Sequence, residues 1–221
     1  MKKILIVGGH GKIALLLAPM LKDAGFEVTS VIRNAAQIDD VAESGATPVV
    51  HDVASSSVAE LTDLFVGQDA VIWSAGSGGG GAERTYAVDR DAAIATMEAA
   101  VEAGVQRYLM VSYLGAGPDH GVPPEDGFFA YAEAKAAADA KLRSTSALAW
   151  TILAPGALTL EAPTALIDPT PAAERDASAV NDTSRGNVAL VAAAVLQRPD
   201  TIMRTIEFTD GTTEIDEALN P

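Results

Sequence analysis

A tyrosine and a lysine four residues apart are the first candidates for chemistry in this sequence. Tyr131 and Lys135 lie in an alanine-rich stretch that predicts a helix, and an i,i+4 spacing places both side chains on one helical face. The pKa of a tyrosine is ordinarily about 10, so a phenol is a poor acid or base near neutrality. A neighbouring ammonium lowers that pKa. We therefore expect Lys135 to tune Tyr131, which would donate a proton to a carbonyl oxygen or accept one from an alcohol.

A serine at the end of a predicted strand adds a third group to this pair. Ser112 closes the fifth apolar run, and the carboxyl ends of strands in open α/β sheets are where ligands bind. Its hydroxyl would hydrogen-bond the reacting oxygen of a substrate. A tyrosine and a lysine at this spacing also occur in helices for structural reasons. The catalytic interpretation therefore depends on Ser112 and on the glycine-rich turn described next.

A glycine-rich turn follows the first apolar run and opens the first helical pattern. It reads Gly8-Gly9-His10-Gly11-Lys12-Ile13-Ala14. A dinucleotide pyrophosphate needs bare backbone close by, and the N-terminus of a helix offers it free N–H groups and a partial positive charge. Glycines at the first and fourth positions allow the tight turn and the close approach, while the alanine permits close helix–strand packing. A glycine-rich turn without a ligand is the alternative, and the strand–turn–helix context disfavours it.

The end of the second predicted strand distinguishes NADP from NAD. An NAD site usually carries an acidic residue there, whereas this sequence has Arg33 followed by Asn34. A guanidinium suits the 2′-phosphate of NADP and can stack on adenine, and His10 and Lys12 would add positive charge nearby. A solvated surface arginine is the alternative. We predict that NADP (NADPH) is favoured over NAD.

The next two strand ends continue the expected cofactor groove. Asp52 and Val53 follow the third strand, where a carboxylate would accept a hydrogen bond from the adenine amino group. Ser74, Ala75 and Gly76 follow the fourth strand, and their small side chains leave room for the adenosine ribose. Each pair or triplet alone is an ordinary strand–loop junction. Their order along the chain is what indicates a groove.

The elements that must position these residues alternate along almost the whole chain. Short, continuously apolar runs alternate with Ala/Leu-rich helical patterns, which predicts an α/β, doubly wound, mostly parallel sheet with helices on both faces, the Rossmann fold. The predicted strands are Lys3–Val7, Glu27–Ile32, Thr47–Val50, Asp69–Trp73, Arg107–Ser112, Ala149–Leu153 and Arg204–Phe208. The predicted helices are Lys12–Ala24, Ala36–Ser44, Ser56–Phe65, Arg84–Ala103, Phe129–Ser144 and Ser184–Leu196. Residues 1–221 form one domain in this interpretation, with 155–183 as a substrate-side insertion or lid.

Composition excludes several other classes of function. The chain has 221 residues, a net charge of −15 and no cysteine. The charge opposes binding to nucleic acid or to an anionic membrane, and the absence of cysteine excludes disulfides and thiolate chemistry. The three histidines are too scattered to predict a metal site, and no apolar run approaches the ~20 residues of a membrane span. We expect a cytoplasmic protein, and the sequence leaves its oligomeric state open.

Together the glycine turn, Arg33, Ser112, Tyr131 and Lys135 resemble the short-chain dehydrogenase/reductase superfamily. More narrowly, the chain is similar to its atypical branch of NAD(P)-binding, epimerase-like and NmrA-like proteins. The resemblance implies that Lys135 also holds the nicotinamide ribose and that Pro155 and Gly156, after the sixth strand, lie against the nicotinamide. It further implies an active-site position for Asp89, where many members of the superfamily carry asparagine, and this departure would change the proton relay.

The function implied is hydride transfer from NADPH to a small carbonyl-like substrate. The expected catalytic residues are Ser112, Tyr131, Lys135 and Asp89. A non-catalytic NADP-binding regulator of the NmrA-like type, whose 155–183 region meets a protein partner, is the alternative. A sugar-nucleotide epimerase is disfavoured because the C-terminal region is short for a domain that holds a nucleotide sugar. The expected cofactor contacts are Gly8, His10, Gly11, Lys12, Ile13, Arg33, Asp52, Val53, Ser74, Ala75, Gly76, Lys135, Pro155 and Gly156.

Overall fold

Apolar strands build the centre of the molecule. The computed structural model describes residues 1–176 and 179–220. Their strands are β1 (Lys3–Val7), β2 (Glu27–Ile32), β3 (Thr47–Val50), β4 (Ala70–Trp73), β5 (Arg107–Val111), β6 (Ala149–Pro155), β7 (Ala157–Thr159), β8 (Leu166–Asp168), β9 (Asp182–Ser184), β10 (Arg204–Asp210) and β11 (Thr213–Glu214). Every strand predicted from the sequence is present. The ends shift by a few residues, so that Ser112 lies just beyond β5 and Pro155 ends β6.

Within the described residues, nine strands form one sheet in the order β11-β8-β10-β6-β5-β4-β1-β2-β3. The seven neighbouring strands β10, β6, β5, β4, β1, β2 and β3 are parallel to one another. Strand β1 pairs with both β2 and β4. The chain first adds strands on one side of β1 and then crosses to the other side. Such a reversal opens a crevice at the carboxyl ends of the central strands, where open α/β sheets bind ligands. The predicted doubly wound α/β fold is confirmed.

Helices cover both faces of this sheet. They are α1 (Lys12–Asp23), α2 (Ile38–Glu43), α3 (Val58–Phe65), α4 (Ala82–Thr85), α5 (Ala93–Glu102), α6 (Phe129–Ser144), α7 (Arg185–Val195) and α8 (Ile215–Ala218). Side chains of β1 alternate between the two faces: Ile4 and Ile6 join a core with α1 and α7, whereas Leu5 and Val7 join a core with α3, α5 and α6. Both faces of β1 are thus buried, which explains why β1 is continuously apolar from Ile4 to Val7.

The predicted helix at 84–103 is one helical run with a π-helical turn in its middle. The turn spans Tyr86–Ala92 and lies between α4 and α5. Such turns carry one residue more than an α-helical turn and are frequent at functional sites. Asp89 lies in this turn and is 1% exposed.

The region between β6 and α7 has more regular structure than the sequence predicted. Strand β7 pairs with β9 in a separate two-stranded parallel sheet, and β8 extends the main sheet antiparallel to β10 and β11. Arg175 pairs with the Asp168 carboxylate at 3.1 Å, which offsets the charge of that carboxylate, and also donates to the Asp168 carbonyl oxygen. The predicted insertion includes residues 177 and 178, which lie outside the described residues. Its role as a lid stays a prediction.

In the part of the chain that the structure describes, no helix is both long enough and apolar enough to cross a bilayer.

Candidate active site

A groove of about 250 Å³ lies over the carboxyl ends of β1, β2, β3 and β4, and we call it the β1–β4 groove. It is the crevice that the strand order creates. Nine of the predicted cofactor residues line it: Gly8, His10, Gly11, Arg33, Asp52, Val53, Ser74, Ala75 and Gly76. Sequence reasoning had placed these residues on four separate strand ends, and the parallel sheet brings them to one edge.

The glycines of the turn are required by close approaches of backbone to backbone. Gly8 has φ +85°, and a Cβ there would lie 2.6 Å from the Cα of Ala75. A Cβ on Gly9 would overlap the Cβ of Ser30 on β2, a requirement that the sequence analysis did not assign. Helix α1 begins without a hydrogen bond from a side-chain cap in the described residues, so the N–H groups of its first turn remain for a ligand. This bare, positively polarised cradle fits a pyrophosphate.

Two of the residues predicted in the glycine-rich turn do not line the groove. Lys12 is exposed outside it, and Ile13 is 7% exposed with its side chain in the apolar core. Both belong to the first turn of α1, so a phosphate would meet their backbone N–H groups and not their side chains. Their assignment as cofactor contacts stays a prediction.

The charges around the groove differ from the sequence expectation in two ways. Arg84 lines the groove together with Arg33, although nothing in its sequence context pointed there. His10 Nε2 lies 2.7 Å from the carboxylate of Asp40 on α2, so part of the charge expected from His10 is balanced. The groove therefore presents two arginines, one just after β2 and one from α4.

A second cavity, of about 610 Å³, lies beyond the carboxyl ends of β5 and β6, and we call it the β5–β6 cavity. Four of the predicted residues line it: Ser112, Tyr131, Pro155 and Gly156. Tyr113, Phe128 and Tyr131 form an aromatic cluster in its wall, with ring centroids 5.1 to 5.7 Å apart. Because β5 neighbours β4 in the sheet, the cavity and the β1–β4 groove lie along the same edge.

Helix α6 places a row of polar groups behind this cavity. Tyr131, Lys135 and Asp139 recur every four residues and share one face, and the sequence analysis missed the third of them. The Ser112 hydroxyl donates to Asp139 Oδ2 at 2.5 Å. Asp139 is fully buried. Its position eight residues after Tyr131 was the one available signal in the sequence. A single aspartate on a helix predicts no chemical role by itself, and the role becomes visible only where the fold places Asp139 against Ser112.

Lys135 occupies a buried position. It is 1% exposed, and its ammonium donates to the carbonyl oxygen of Val111 at 2.7 Å and contacts Met110 Sδ at 3.2 Å. It lines neither the groove nor the cavity. The expected contact between Lys135 and a nicotinamide ribose stays a prediction. It would need the Lys135 ammonium, which here donates to the backbone of β5.

Asp89 lies close enough to this cluster to act on it electrostatically. Its carboxylate accepts a hydrogen bond from the Ser77 N–H at 3.0 Å and so holds the start of a second glycine-rich segment, the loop at residues 77–81. Burial raises the pKa of Asp89, while the Ser77 N–H and the Lys135 ammonium oppose that change. Its catalytic role stays a prediction.

Burial sets the direction of the other pKa changes in the site. Desolvation raises the pKa of Tyr131, and the nearby carboxylates of Asp89 and Asp139 raise it further. The expectation that Lys135 lowers the pKa of Tyr131 is wrong for this arrangement, because burial and the two carboxylates dominate. Burial likewise lowers the pKa of Lys135 and raises that of Asp139. The phenol therefore keeps its proton at neutral pH, and the raised pKa makes it a weaker acid than a free tyrosine.

The glycine cradle generates the first prediction. Gly8→Ala should abolish dinucleotide binding, because its Cβ would collide with the backbone of Ala75 and displace the turn. Gly25→Ala is the matched control. It has a similar φ of +87° with nothing within 4 Å, so it should cost only about 1–2 kcal/mol of unfolding free energy and keep dinucleotide binding. Calorimetric titration with NADPH and thermal unfolding measure both. Wild-type affinity in Gly8→Ala would show that the close approach is not needed.

Comparison with known proteins places the chain in a family. The NAD(P)H-binding family matches residues 8–199. A Bacillus subtilis protein named an uncharacterized sugar epimerase, YhfK, is 32% identical, with 98% of each chain covered.

Two solved structures share the fold and much of the sequence. A protein from Bacillus halodurans, named among the NAD-dependent epimerases/dehydratases, has a TM-score of 0.88 at 32% identity, with 99% of each chain covered. The oxidoreductase ylbE from Lactococcus lactis has a TM-score of 0.84 at 29% identity, with 98% of this chain and 94% of that chain covered. The resemblance drawn from the sequence motifs is confirmed, and the chain belongs to the NAD(P)H-binding family.

Proposed function

We propose that the chain is an NADPH-dependent oxidoreductase of the atypical short-chain dehydrogenase/reductase type that reduces a small carbonyl compound. One observation carries the proposal. A glycine-lined groove at the start of α1 and a cavity lined by Tyr131 lie side by side on the carboxyl edge of one sheet. The name of the Lactococcus lactis protein, an oxidoreductase, supports the reaction class.

The choice of NADP over NAD rests on charge at the end of β2. Arg33 lines the groove there, and Arg84 lines it from α4. Among the described residues that line the groove, Asp52 is the one acidic side chain, and it follows β3 instead of β2. The carboxylate of Asp40 on α2 does not line the groove and is paired with His10. An additional phosphate on the adenosine ribose would find cations where an NAD site has a carboxylate.

The proton in the proposed reaction comes from Tyr131. When bound, the reduced nicotinamide supplies a hydride to the carbonyl carbon. Tyr131 then donates its phenolic proton to the carbonyl oxygen, which becomes a hydroxyl group. Because burial raises the pKa of Tyr131, the phenol carries a proton throughout the neutral range, and the carbonyl oxygen becomes basic enough to take it as hydride reaches the carbon. The positive charge of Lys135 would stabilise the phenolate left behind.

Ser112 and Asp139 form the second half of the proposed machinery. While Asp139 is ionised, the Ser112 hydroxyl donates to it and offers only oxygen lone pairs to the cavity. If Asp139 is protonated, its own O–H donates to Ser112, whose proton is then available to the substrate oxygen. Burial raises the pKa of Asp139 and so favours this second arrangement. Asp139 acts through Ser112 and is a positioning residue.

Cofactor titration is the first test of the proposal. NADPH should bind more tightly than NADH, and Arg33→Ala should weaken NADPH binding about tenfold while leaving NADH almost unchanged, since one charge-assisted contact is lost. Arg143→Ala, an exposed arginine on α6 outside the groove, is the control. Calorimetry at one ionic strength measures the affinities of all three proteins for both nucleotides. Equal affinity for both nucleotides would remove the NADP assignment, and binding of neither would remove the proposed function.

The role of Tyr131 has a direct test. Tyr131→Phe should keep NADPH binding but lower the rate of carbonyl reduction by roughly 10²–10⁴-fold, the usual contribution of a positioned acid. Tyr113→Phe, which removes a second hydroxyl from the same cavity wall, should leave the rate near that of the wild type. Steady-state consumption of NADPH with aldehyde substrates measures both variants. Loss of turnover in Tyr113→Phe alone would assign the acid to Tyr113.

The Asp139 arrangement predicts a pH dependence. The rate of reduction should fall as pH rises through the pKa of Asp139, which lies above its ordinary value, because ionised Asp139 accepts the Ser112 hydrogen bond and leaves none for the substrate. Asp139→Asn offers an amide donor to Ser112 at every pH, so its rate should not fall over the same range. A pH profile of kcat for both forms decides between these outcomes. The same fall in Asp139→Asn would show that another group controls the rate.

Sugar-nucleotide epimerisation is a second candidate, favoured by the names of the Bacillus subtilis and Bacillus halodurans proteins. An epimerase would convert a nucleotide sugar without net consumption of NADPH. A non-catalytic regulator would instead bind a partner whose affinity depends on cofactor and would be indifferent to Tyr131→Phe.

A further inference from the structure

The residues that line the β5–β6 cavity indicate the chemical class of the substrate, which the reaction type alone does not. Its lining contains the three aromatic residues Tyr113, Phe128 and Tyr131, one arginine, and no acidic side chain among the described residues. The described carboxylates from β8 to β9 do not line it.

We infer that this cavity takes a flat aromatic compound that carries a carboxylate, with the rings of the aromatic cluster against its plane and Arg185 on its anionic group. The inference rests on the proposed function, since the compound would be the carbonyl substrate. It adds the chemical class that the substrate must have.

Aromatic surface is available to a ligand in this cavity. Phe128 is 43% exposed although it packs edge-on against Tyr113 at 5.2 Å. An exposed phenylalanine in contact with two tyrosines leaves apolar area that water solvates poorly, and a second flat ring would cover it. Tyr131, the proposed proton donor, is part of the same cluster and lies 5.1 Å from Phe128 between ring centroids. A ring bound there would hold its carbonyl substituent near the donor.

Arg185 is held in place by the backbone and not by a carboxylate. Its Nη1 donates to the carbonyl oxygens of Leu158 and Thr159 at 3.0 and 2.7 Å. Within residues 1–176 and 179–220, its Nε and Nη2 form no hydrogen bond and it has no ion pair. A planar guanidinium fixed by one nitrogen presents the other two as a fork, the geometry that binds a carboxylate through two parallel hydrogen bonds.

The cation is unusual in its electrostatic setting. The chain has a net charge of −15, so anions are repelled from most of its surface. Arg185, which has no carboxylate partner among the described residues, is therefore a local exception at the cavity wall. It would select for an anionic group at the one place where the substrate must be oriented.

Matched probes test this inference without requiring turnover. 2-Naphthoate and 2-naphthamide have the same shape and differ in charge, so calorimetric titration of both into the NADP-saturated protein isolates the carboxylate contact. The wild type should bind the naphthoate about tenfold more tightly than the amide, as one charged, bidentate contact provides. Equal affinities in the wild type, or no binding of either probe, would overturn the inference.

Substitutions assign the effect to the two features. Arg185→Gln should remove the preference for naphthoate and leave naphthamide binding unchanged, whereas Phe128→Ala should weaken both probes equally. Arg143→Gln is the control outside the cavity and should keep the preference. A preference that survives in Arg185→Gln would overturn the assignment.

The outcome is separable from that of the proposed function. Naphthoate binding lost in Arg185→Gln would support the inference even in a chain that never oxidises NADPH. Conversely, NADPH-dependent reduction of aldehydes without any preference for aromatic carboxylates would leave the proposed function standing and overturn this inference.

Discussion

The close passage of the Gly8–Gly9 backbone between two neighbouring strand ends is the constraint on which the rest of the site depends. β1 pairs with β2 on one side and β4 on the other, so the chain leaving β1 must turn within the space between Ser30 and Ala75. Any side chain at Gly8 or Gly9 would push these strand ends apart. The same narrowness exposes bare N–H groups at the start of α1, so the packing requirement and the phosphate cradle have one cause.

The buried charges behind the β5–β6 cavity are the least favourable part of the fold. Lys135 and Asp139 are removed from water, and neither finds the other within ion-pair distance among the described contacts; each instead bonds to a group of β5 or its end. Burying such groups is costly unless they are paired. An alanine-rich helix permits the arrangement, because small side chains at Ala134 and Ala138 let α6 pack closely against the core. Local rules are broken in this way chiefly at functional sites.

Much of the fold was predictable because its signals are local. Continuous apolar runs and the strand–turn–helix context of Gly8 each lie within a few residues of sequence, and the structure bears out all the predicted strands. The remaining site residues are defined by through-space neighbours. Arg84 reaches the groove across a glycine-rich loop, Asp139 matters only because Ser112 lies opposite, and Arg185 faces the cavity only because β7 pairs with β9. The direction of the Tyr131 pKa change also depends on burial, which spacing alone does not reveal.

The net charge of this chain is negative, but positive side chains lie at its two pockets. Thirty acidic residues outnumber fifteen basic ones, yet the arginines Arg33, Arg84 and Arg185 lie on the two ligand-facing surfaces. An overall negative field repels anions at long range, but salt screens that repulsion beyond about 10 Å, whereas a guanidinium at a cavity wall acts at contact distance. The field therefore lowers the affinity for anions in general and leaves short-range contacts to decide which anions bind. A dinucleotide phosphate and an anionic substrate group would both be recognised by short-range contacts with well-placed arginines, because the overall charge of the chain does not attract them.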